Sequence, residues 1–379
     1  MRLMIAAGGT GGHVYPALAA AEALLALQAA AELSFVGSVG GFERPLIRDA
    51  GFTFDHYDEV RAGPLHGVPP LQVVKSALQL AAGTVQAVGL LRRRKPDALL
   101  LTGGWVGLPA ALAARLLGVP ALIYLPDIEP GLAIRRLAPL TRRVAATVAD
   151  SAAYFPAGKT VVTGYPMRAE MKKAAREAGF AHFKLDAARP TLLVFGGSRG
   201  ARTINQAVLG LAPELVAAGA QIIHVTGALD WVADSARHAE LAAASAGVAA
   251  HYHLFPYLHD DMGLAMAAAD LAVCRSGAST LGELPFFGLP AILVPYPYAW
   301  RYQKTNADWL AARGAGRVMQ DEEMARDLGP ALRELLGDRA QLEAMRASCA
   351  ALAQPEGAES PDGAYNLARE LLRLAGDQA

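Results

Sequence analysis

Apolar and polar positions along this chain alternate in blocks typical of strands followed by helices. Short apolar runs, which predict buried strands, are separated by longer segments with apolar residues at helical spacing. The predicted strands are Leu3–Ala7, Leu33–Val36, Ala98–Leu101, Ala121–Tyr124, Val144–Val148, Thr191–Phe195, Gln221–Thr226, Leu271–Cys274 and Ala291–Val294. Continuous apolar strands that alternate with helices indicate parallel sheets covered on both faces, the α/β class.

The segments between the strands predict helices and a division into domains. The predicted helices are Pro16–Ala30, Leu71–Leu91, Pro109–Leu117, Thr203–Ala217, Trp231–Ala246, Asp260–Ala268, Thr280–Phe286, Tyr302–Ala312 and Asp362–Leu374. Glycines, prolines and polar residues cluster at Pro156–Pro166, the predicted hinge. We therefore expect one doubly wound domain over 1–163 and a second over 164–357. The segment 358–379 is expected to pack back on the first domain.

Each half opens with a glycine-rich loop directly after a strand, Gly8–His13 in the first and Gly196–Ala201 in the second. Such a turn lets backbone N–H groups approach a phosphate or sugar. Two such turns predict two nucleotide-type folds that face a cleft. The first loop lacks the dinucleotide fingerprint because Val14 stands where a glycine is needed, so alone it also fits an ordinary strand–helix turn.

His13 stands at the start of the first predicted helix, at the carboxyl end of a strand, where ligands bind in open α/β sheets. An imidazole there can accept a proton near neutral pH. The alternative is a histidine that caps the helix or contacts a phosphate.

The segment Cys274–Glu283 follows a strand and opens a helix. Its small residues and hydroxyls at a helix N-terminus predict a diphosphate site. Glu283, one turn into the helix, is placed to accept from ribose hydroxyls. It can equally be a solvated first-turn residue that complements the helix dipole.

Two further loops carry candidate contacts. The aromatic, arginine and glutamine content of Pro295–Gln303 suits a sugar site or simply a rigid proline-rich loop. Arg168, near the hinge, is suited either to a phosphate or to a salt link between domains.

The stretch Leu65–Lys95 is an apolar helix that ends in four cations, Arg92–Lys95. This pattern fits an interfacial membrane contact, to which Arg135, Arg136, Arg142 and Arg143 would add. It also fits a core helix whose terminal cations complement the dipole.

Composition narrows the functional class. The 379 residues carry 35 basic and 35 acidic side chains, so net charge gives no bias toward nucleic acid. No run reaches roughly 18 uncharged apolar residues, and no signal peptide is recognisable. Two cysteines and scattered histidines predict neither a disulfide framework nor a metal site, which favours a cytoplasmic location.

Three motifs together resemble glycosyltransferase family 28. They are Gly-Gly-Thr-Gly-Gly-His at the start, Gly196–Asn205, and Arg275–Glu283, in this order. The resemblance runs from Met1 to about Arg373. It implies the GT-B fold of two Rossmann-like domains, with an acceptor and membrane-side domain first and a UDP-sugar domain second. It also implies inverting transfer of N-acetylglucosamine from UDP-N-acetylglucosamine, without a metal or cofactor. The acceptor implied is undecaprenyl-diphosphate-muramyl-pentapeptide of peptidoglycan synthesis.

Site residues follow from the same resemblance. Around the donor sugar and acceptor it places Thr10, Gly11, Gly12, His13, Arg168 and Ser198. Around the nucleotide it places His259, Ser276, Gly277, Ala278, Ser279, Thr280 and Glu283, while Gln303 would read sugar hydroxyls. Tyr302 replaces the first of the family's two glutamines.

The chain departs from the family near the acceptor. Where the family has His-Glu-Gln-Asn, this sequence has Tyr124-Leu125-Pro126-Asp127, and Gly104–Gly107 is also altered. His13 or Asp127 would be the base, and Asp127 or Glu129 would replace the lost carboxylate. Three alternatives stay open: another lipid acceptor, a UDP-sugar epimerase, and a silent membrane scaffold. The expected location is the cytoplasmic face of the plasma membrane, with no prediction of oligomeric state.

Overall fold

Strands of continuous apolar residues form the centres of two parallel sheets. The computed structural model describes residues 1–9, 11–64, 67–197, 200–298 and 302–376. By its contacts the chain divides into unit 1, Met1–Arg168 with Gln354–Ala379, and unit 2, Ala169–Ala353. The sequence placed these borders after residues 163 and 357.

Unit 1 is built on a seven-stranded sheet in the order β3-β2-β1-β4-β5-β6-β7. The strands are β1 Arg2–Ala7, β2 Glu32–Ser38, β3 His56–Val60, β4 Ala98–Gly103, β5 Ala121–Leu125, β6 Arg143–Ala146 and β7 Thr160–Val162. Ile5 at the centre pairs with Phe35 on one side and Leu100 on the other. Met4 and Ile5 are both fully buried and lie in different cores, so both faces of β1 are covered, as its unbroken apolar run predicts.

Helices cover both faces of this sheet. They are α1 Gly11–Leu27, α2 Glu43–Asp49, α3 Pro70–Arg94, α4 Gly107–Leu117 and α5 Leu132–Leu137, with short 3-10 helices at Ala138–Leu140 and Ala149–Tyr154. One core lies between the sheet and α1, and the other between the sheet and helices α3 and α4.

Unit 2 repeats the design with a six-stranded sheet in the order β10-β9-β8-β11-β12-β13. The strands are β8 Thr191–Phe195, β9 Gln221–Val225, β10 Tyr252–Phe255, β11 Leu271–Cys274, β12 Ala291–Leu293 and β13 Gly316–Val318. Its helices are α6 Ala169–Lys172, α7 Arg176–Phe183, α8 Arg202–Ala217, α9 Trp231–Ala244, α10 Ala246–His251, α11 Met262–Ala268, α12 Thr280–Phe287, α13 Tyr302–Ala312, α14 Met324–Gly337 and α15 Arg339–Ala351, with a 3-10 turn at Asp321–Glu323.

The last helix, α16 Gly363–Gly376, packs against α1 in unit 1. Leu367, Leu371 and Leu374 are buried in the same core as Leu18 and Leu24 of α1. A buried Glu370 accepts from Arg143 Nη1 at 3.0 Å. Residues 354–376 thus complete unit 1 although they follow unit 2 in the chain.

Helix α3 presents two different faces. Leu80, Ala87, Leu90 and Leu91 are buried, whereas Leu71, Val74, Leu78 and Val85 are 59–84% exposed. By length and composition, Leu71–Arg94 is the one helix within the described ranges that could cross a membrane. The sequence assigned no span there, because Lys75 and the terminal arginines interrupt the uncharged run.

Candidate functional site

The first glycine loop, between β1 and α1, is held against the turn that follows β4. Gly8 N–H donates to Gly103 O at 3.1 Å. A Cβ at Gly104 would lie 2.4 Å from Gly8 O, so this approach requires glycine. Gly104 also has φ +83°, a conformation that side chains disfavour. The carboxyl ends of the two central strands are therefore joined by backbone alone.

His13 lies in the first turn of α1 with its ring directed back at this loop. The carbonyl oxygen of Gly8 can only accept, so His13 Nδ1 donates to it at 2.8 Å. In the neutral ring, Nε2 then carries the lone pair. Burial lowers the pKa of His13 below its ordinary 6.5, and the bond to Gly8 opposes this only in part. The arrangement favours a neutral imidazole that can accept a proton at Nε2.

Gly103 makes room for this ring. A Cβ there would lie 2.3 Å from His13 Cδ2 and 2.7 Å from Nε2. Thr102 Oγ1, next in the chain, donates to the His13 carbonyl at 2.8 Å. The carboxyl end of β4 therefore fixes both the backbone and the ring of His13.

The two carboxylates that follow β5, Asp127 and Glu129, lie in different environments. Glu129 is buried and accepts from Arg135 Nη2 at 2.9 Å, whereas Asp127 is partly exposed. The Tyr124 hydroxyl is buried 2.8 Å from Thr147 Oγ1, and burial raises the pKa of Tyr124. Leu125 is fully buried. Asp127 is thus the accessible carboxylate of this segment, at the same edge of the sheet as His13.

Arg168 is the last residue of unit 1 before the chain enters unit 2, and it lies near the start of α1. Its guanidinium carbon lies 4.8 Å from the centre of the Tyr15 ring, a cation–π contact. Gly11 permits this ring position, since a Cβ there would lie 2.9 Å from Tyr15 Cε2. Gly11, Gly12 and Arg168 therefore lie in one region with His13. Thr10 and Ser198, also predicted for the site, lie outside the described residues.

The second glycine loop, between β8 and α8, is fixed by close backbone contact. A Cβ at Gly200 would lie 2.0 Å from Thr226 O at the end of β9. Asn205 Nδ2 donates to the same carbonyl at 2.9 Å. Behind it, burial lowers the pKa of His224 to about 3, and its ring bonds to Asn205 Oδ1 and Tyr252 Oη. Asn205 Nδ2 also donates to the buried Asp234 Oδ2 at 2.8 Å, so a buried network of polar side chains supports this turn.

The predicted diphosphate turn, residues 276–280, uses two of its hydroxyls internally. Ser276 Oγ donates to Gln303 O at 2.8 Å, and Thr280 Oγ1 donates to Gly277 O at 2.6 Å. Both side chains are buried. Gly277, Ala278 and Ser279 form the partly exposed part of the turn, directly before α12. Whatever meets a ligand here must be mainly backbone and the helix N-terminus.

The other predicted donor contacts lie at the carboxyl edge of this sheet. Glu283 is partly exposed in the first turn of α12, and His259 is exposed after β10. Gln303 Oε1 accepts from Tyr296 N–H at 2.9 Å, so its amide nitrogen is the atom that can donate to a ligand. No group of three histidine, cysteine, aspartate or glutamate residues that could hold a metal ion occurs among the described residues.

Arg275, directly after β11, makes contacts that its sequence position alone does not predict. Its Nη1 lies 2.5 Å from Asp321 Oδ1 and donates to Val294 O and Pro295 O. Asp321 Oδ2 accepts from Thr203 Oγ1 of α8 at 2.8 Å. The buried guanidinium therefore ties together the ends of β11, β12 and β13 and the helix after the second glycine loop. Its position directly after an apolar strand was the available signal.

Comparisons with known proteins agree along the whole chain. The model of the glycosyltransferase family 28 N-terminal domain matches residues 3–146, and that of the C-terminal domain matches residues 191–360. A protein of Roseiflexus sp. (strain RS-1) is 41% identical over 95% of this chain and 93% of its own length. Its name is UDP-N-acetylglucosamine–N-acetylmuramyl-(pentapeptide) pyrophosphoryl-undecaprenol N-acetylglucosamine transferase.

Solved structures show the same architecture. The crystal structure of Acinetobacter baumannii MurG is similar with a TM-score of 0.74 and 28% identity, covering 98% of this chain and 99% of that one. A UDP-GlcNAc 2-epimerase from Neisseria meningitidis, bound to UDP-GlcNAc, gives a TM-score of 0.67 at 15% identity over 100% of both chains. At that identity the second likeness shows the fold alone.

Replacement of Arg275 by methionine should destabilise unit 2 by about 3–5 kcal/mol, because Asp321 would keep a largely buried charge without its partner. Urea unfolding measures the loss. Arg317→Met is the matched control, since its pair with Glu334 is nearly half exposed and screened by solvent, so its loss should cost far less. Equal losses in the two variants would contradict the role given to Arg275.

Proposed function

This chain belongs to glycosyltransferase family 28, and from that premise we propose that it transfers N-acetylglucosamine from UDP-N-acetylglucosamine to undecaprenyl-diphosphate-muramyl-pentapeptide. The observation that carries the proposal is its similarity, along nearly the whole length, to a transferase of that name. The fold is that of the GT-B glycosyltransferases, with two Rossmann-like units. The reaction belongs to peptidoglycan synthesis.

Unit 2 is the proposed donor site. The backbone of residues 276–279 and the positive end of α12 suit a diphosphate. Glu283, in the first turn of that helix, would accept from the ribose hydroxyls, and the backbone at His259 would meet uracil. The Gln303 amide nitrogen would donate to a sugar hydroxyl, with Ser198 as a further donor contact. The hydroxyls of Ser276 and Thr280 are engaged in hydrogen bonds within unit 2. These bonds support a role for the two side chains in shaping the turn rather than in contacting the ligand.

Unit 1 is the proposed acceptor site and the source of the base. His13 Nε2 would take the proton from the acceptor hydroxyl, whose oxygen then attacks the anomeric carbon as the bond to UDP breaks, with inversion. Thr10, Gly11 and Gly12 would line this centre. The charge that grows on UDP would be stabilised by the N-terminus of α12 and by Arg168, so we assign no metal to the step. Asp127, partly exposed at the same sheet edge, is the second candidate for the base.

A membrane-facing surface on α3 fits a lipid-linked acceptor. Leu71, Val74 and Leu78 are exposed on one face of the helix, with Lys75 between them. At its end Arg92 is exposed, while Arg93 and Arg94 pair with Asp58 of β3. Apolar side chains beside cations are what an anionic bilayer surface attracts. We propose that this face lies on the cytoplasmic surface of the plasma membrane, while the opposite face stays in the core of unit 1.

One alternative is supported by a specific observation: transfer to a lipid acceptor other than the muramyl-pentapeptide lipid. Where the family has a glutamate this chain has Leu125, the last residue of β5, which is fully buried and offers no polar group. This change lies in the acceptor unit, so it bears on the acceptor rather than on the UDP-sugar.

With radiolabelled UDP-N-acetylglucosamine and undecaprenyl-diphosphate-muramyl-pentapeptide, the purified chain should release UDP and form one labelled lipid product. Chromatography and mass spectrometry identify that product. A reaction without acceptor is the control, since turnover there would indicate an epimerase. Labelling of diacylglycerol or a different polyprenyl lipid, but not of the muramyl lipid, would overturn the proposed acceptor.

His13→Ala should lower turnover by about a hundred- to ten-thousandfold, the usual cost of losing a general base. UDP affinity, measured by calorimetry, should stay unchanged because the nucleotide binds unit 2. In the wild type the rate should fall as the pH drops through the lowered pKa of His13, below the ordinary 6.5, since only the neutral ring accepts a proton. Asp127→Asn is the comparison: a large loss there, with His13→Ala near normal, would move the base to Asp127.

The double variant Leu71→Gln/Leu78→Gln should bind vesicles of anionic phospholipid at least about tenfold more weakly, because two exposed apolar side chains are lost from the contact. Cosedimentation measures the binding. Val232→Gln in unit 2 removes a side chain that is equally exposed and should bind as the wild type does. Unchanged binding of the double variant would remove α3 from the membrane surface.

A further inference from the structure

A buried carboxylate lies under the first glycine loop, and the proposed reaction does not use it. Glu43, the first residue of α2, is only 1% exposed. Its Oε1 accepts from Gly9 N–H at 3.0 Å. Its Oε2 has no hydrogen-bond partner within the part of the chain that the structure describes. A charge so enclosed acts strongly on whatever polar groups it does contact.

The group that Glu43 contacts is the same one that holds His13. The N–H of Gly9 and the C=O of Gly8 belong to a single peptide unit. Glu43 Oε1 accepts from one end of this unit, and His13 Nδ1 donates to the other end at 2.8 Å. A carboxylate, a peptide group and an imidazole therefore form one chain of hydrogen bonds, in which each bond polarises the next.

Glycines enclose the carboxylate and fix its place. A Cβ at Gly8 would lie 2.8 Å from Glu43 Oε1, and a Cβ at Gly41 would lie 1.8 Å from Oε2. A Cβ at Gly37 would lie 3.7 Å from the Cβ of Glu43 itself. Side chains at Gly8 and Gly41 would displace the carboxylate, whereas Gly37 only contacts it, so the loop is shaped around Glu43 mainly by Gly8 and Gly41.

We propose that Glu43 is a positioning residue for His13 and acts through the Gly8–Gly9 peptide. The carboxylate aligns that peptide and makes its carbonyl a stronger acceptor, which holds the hydrogen of the imidazole on Nδ1. The same negative charge favours the imidazolium, so Nε2 becomes more basic than it would be beside an uncharged partner. The proposal rests on the function assigned above to His13.

Other charged and titratable groups surround this pair. Tyr57 of β3 lies beside Glu43, and Arg44 of α2 and Glu59 of β3 lie beside Tyr57. Arg168 lies over Tyr15 on α1, the helix that carries His13. Burial, followed by the charges of Glu43 and Glu59, raises the pKa of Tyr57 to about 12, so its hydroxyl stays protonated near neutral pH. Glu59 lies on the same strand as Tyr57 but is exposed to solvent. Its substitution is therefore a matched control for substitution of Glu43.

The test is NMR of the full chain with ¹⁵N- and ¹³C-labelled histidine, in which His13→Ala identifies the resonances of His13. In the wild type the neutral ring should be the Nδ1–H tautomer. Glu43→Gln keeps an oxygen for Gly9 N–H but removes the charge, and it should lower the pKa of His13 by about 0.5 to 1. Glu59→Gln should leave that pKa unchanged.

Two results would overturn the proposal. One is a wild-type ring that is mainly the Nε2–H tautomer, a measurement that needs no variant to fold. The other is a folded Glu43→Gln protein, as judged by circular dichroism and thermal unfolding, in which the pKa of His13 equals that of the wild type.

Kinetics then separate this proposal from the one on which it rests. If both hold, Glu43→Gln lowers turnover about three- to tenfold and moves the acidic limb of the pH profile down, with UDP affinity unchanged. If His13 is not the base, Glu43→Gln still moves its NMR titration but not the pH profile. That outcome overturns the role of His13 in the reaction and leaves the coupling through the peptide intact.

Discussion

The structure depends on how closely the backbone of one strand–helix turn can approach the next. In unit 1 the turns after β1 and β4 meet through Gly8, Gly103 and Gly104, with separations that no Cβ would permit. In unit 2 the turn after β8 meets the end of β9 through Gly200. Parallel sheets bring strand ends to one edge, but only glycine lets their peptide groups touch. The polar side chains of each site are arranged around these contacts.

The turns that follow the central strands are supported by different kinds of side chain in the two units. In unit 1 two ionisable groups, Glu43 and His13, flank the turn after β1, and the Gly8–Gly9 peptide group joins them. In unit 2 the turn after β8 is backed by His224, whose pKa burial lowers to about 3. The turn before α12 is held by the Arg275 clamp and by the hydroxyls of Ser276 and Thr280. This difference is consistent with the proposed reaction, in which unit 1 would move a proton and unit 2 would hold an anion.

Much of the fold could be predicted from the sequence because central strands are apolar throughout. The prediction for β8 and β11 agrees with the structure at both ends. The four edge strands of the two sheets were missed: β3, β7, β10 and β13. β3 has the sequence His-Tyr-Asp-Glu-Val, and β7 and β13 have three residues each, so their apolar signal is weak. α1 begins at Gly11 rather than at Pro16, because the glycines start the helix and the proline lies inside it.

The site was less predictable than the fold. Motifs located both glycine loops and the turn before α12, since these are continuous in sequence. Glu43 and Asp321 escaped notice because their partners, Gly9 and Arg275, are distant along the chain. Sequence spacing cannot show that a hydroxyl such as that of Ser276 is already engaged by a backbone carbonyl of another element.

The return of α16 to unit 1 sets an order for folding during synthesis. Unit 2, residues 169–353, is continuous and holds all its strands and helices before α16 leaves the ribosome. Unit 1 is synthesised first, but Leu18 and Leu24 of α1 share their core with Leu367 and Leu371 of α16. This core is incomplete until α16 has been synthesised. A nascent chain therefore carries an uncovered apolar surface on its earlier unit while its later unit folds. Chaperone contact during translation is accordingly expected at the N-terminal half, the reverse of simple vectorial folding.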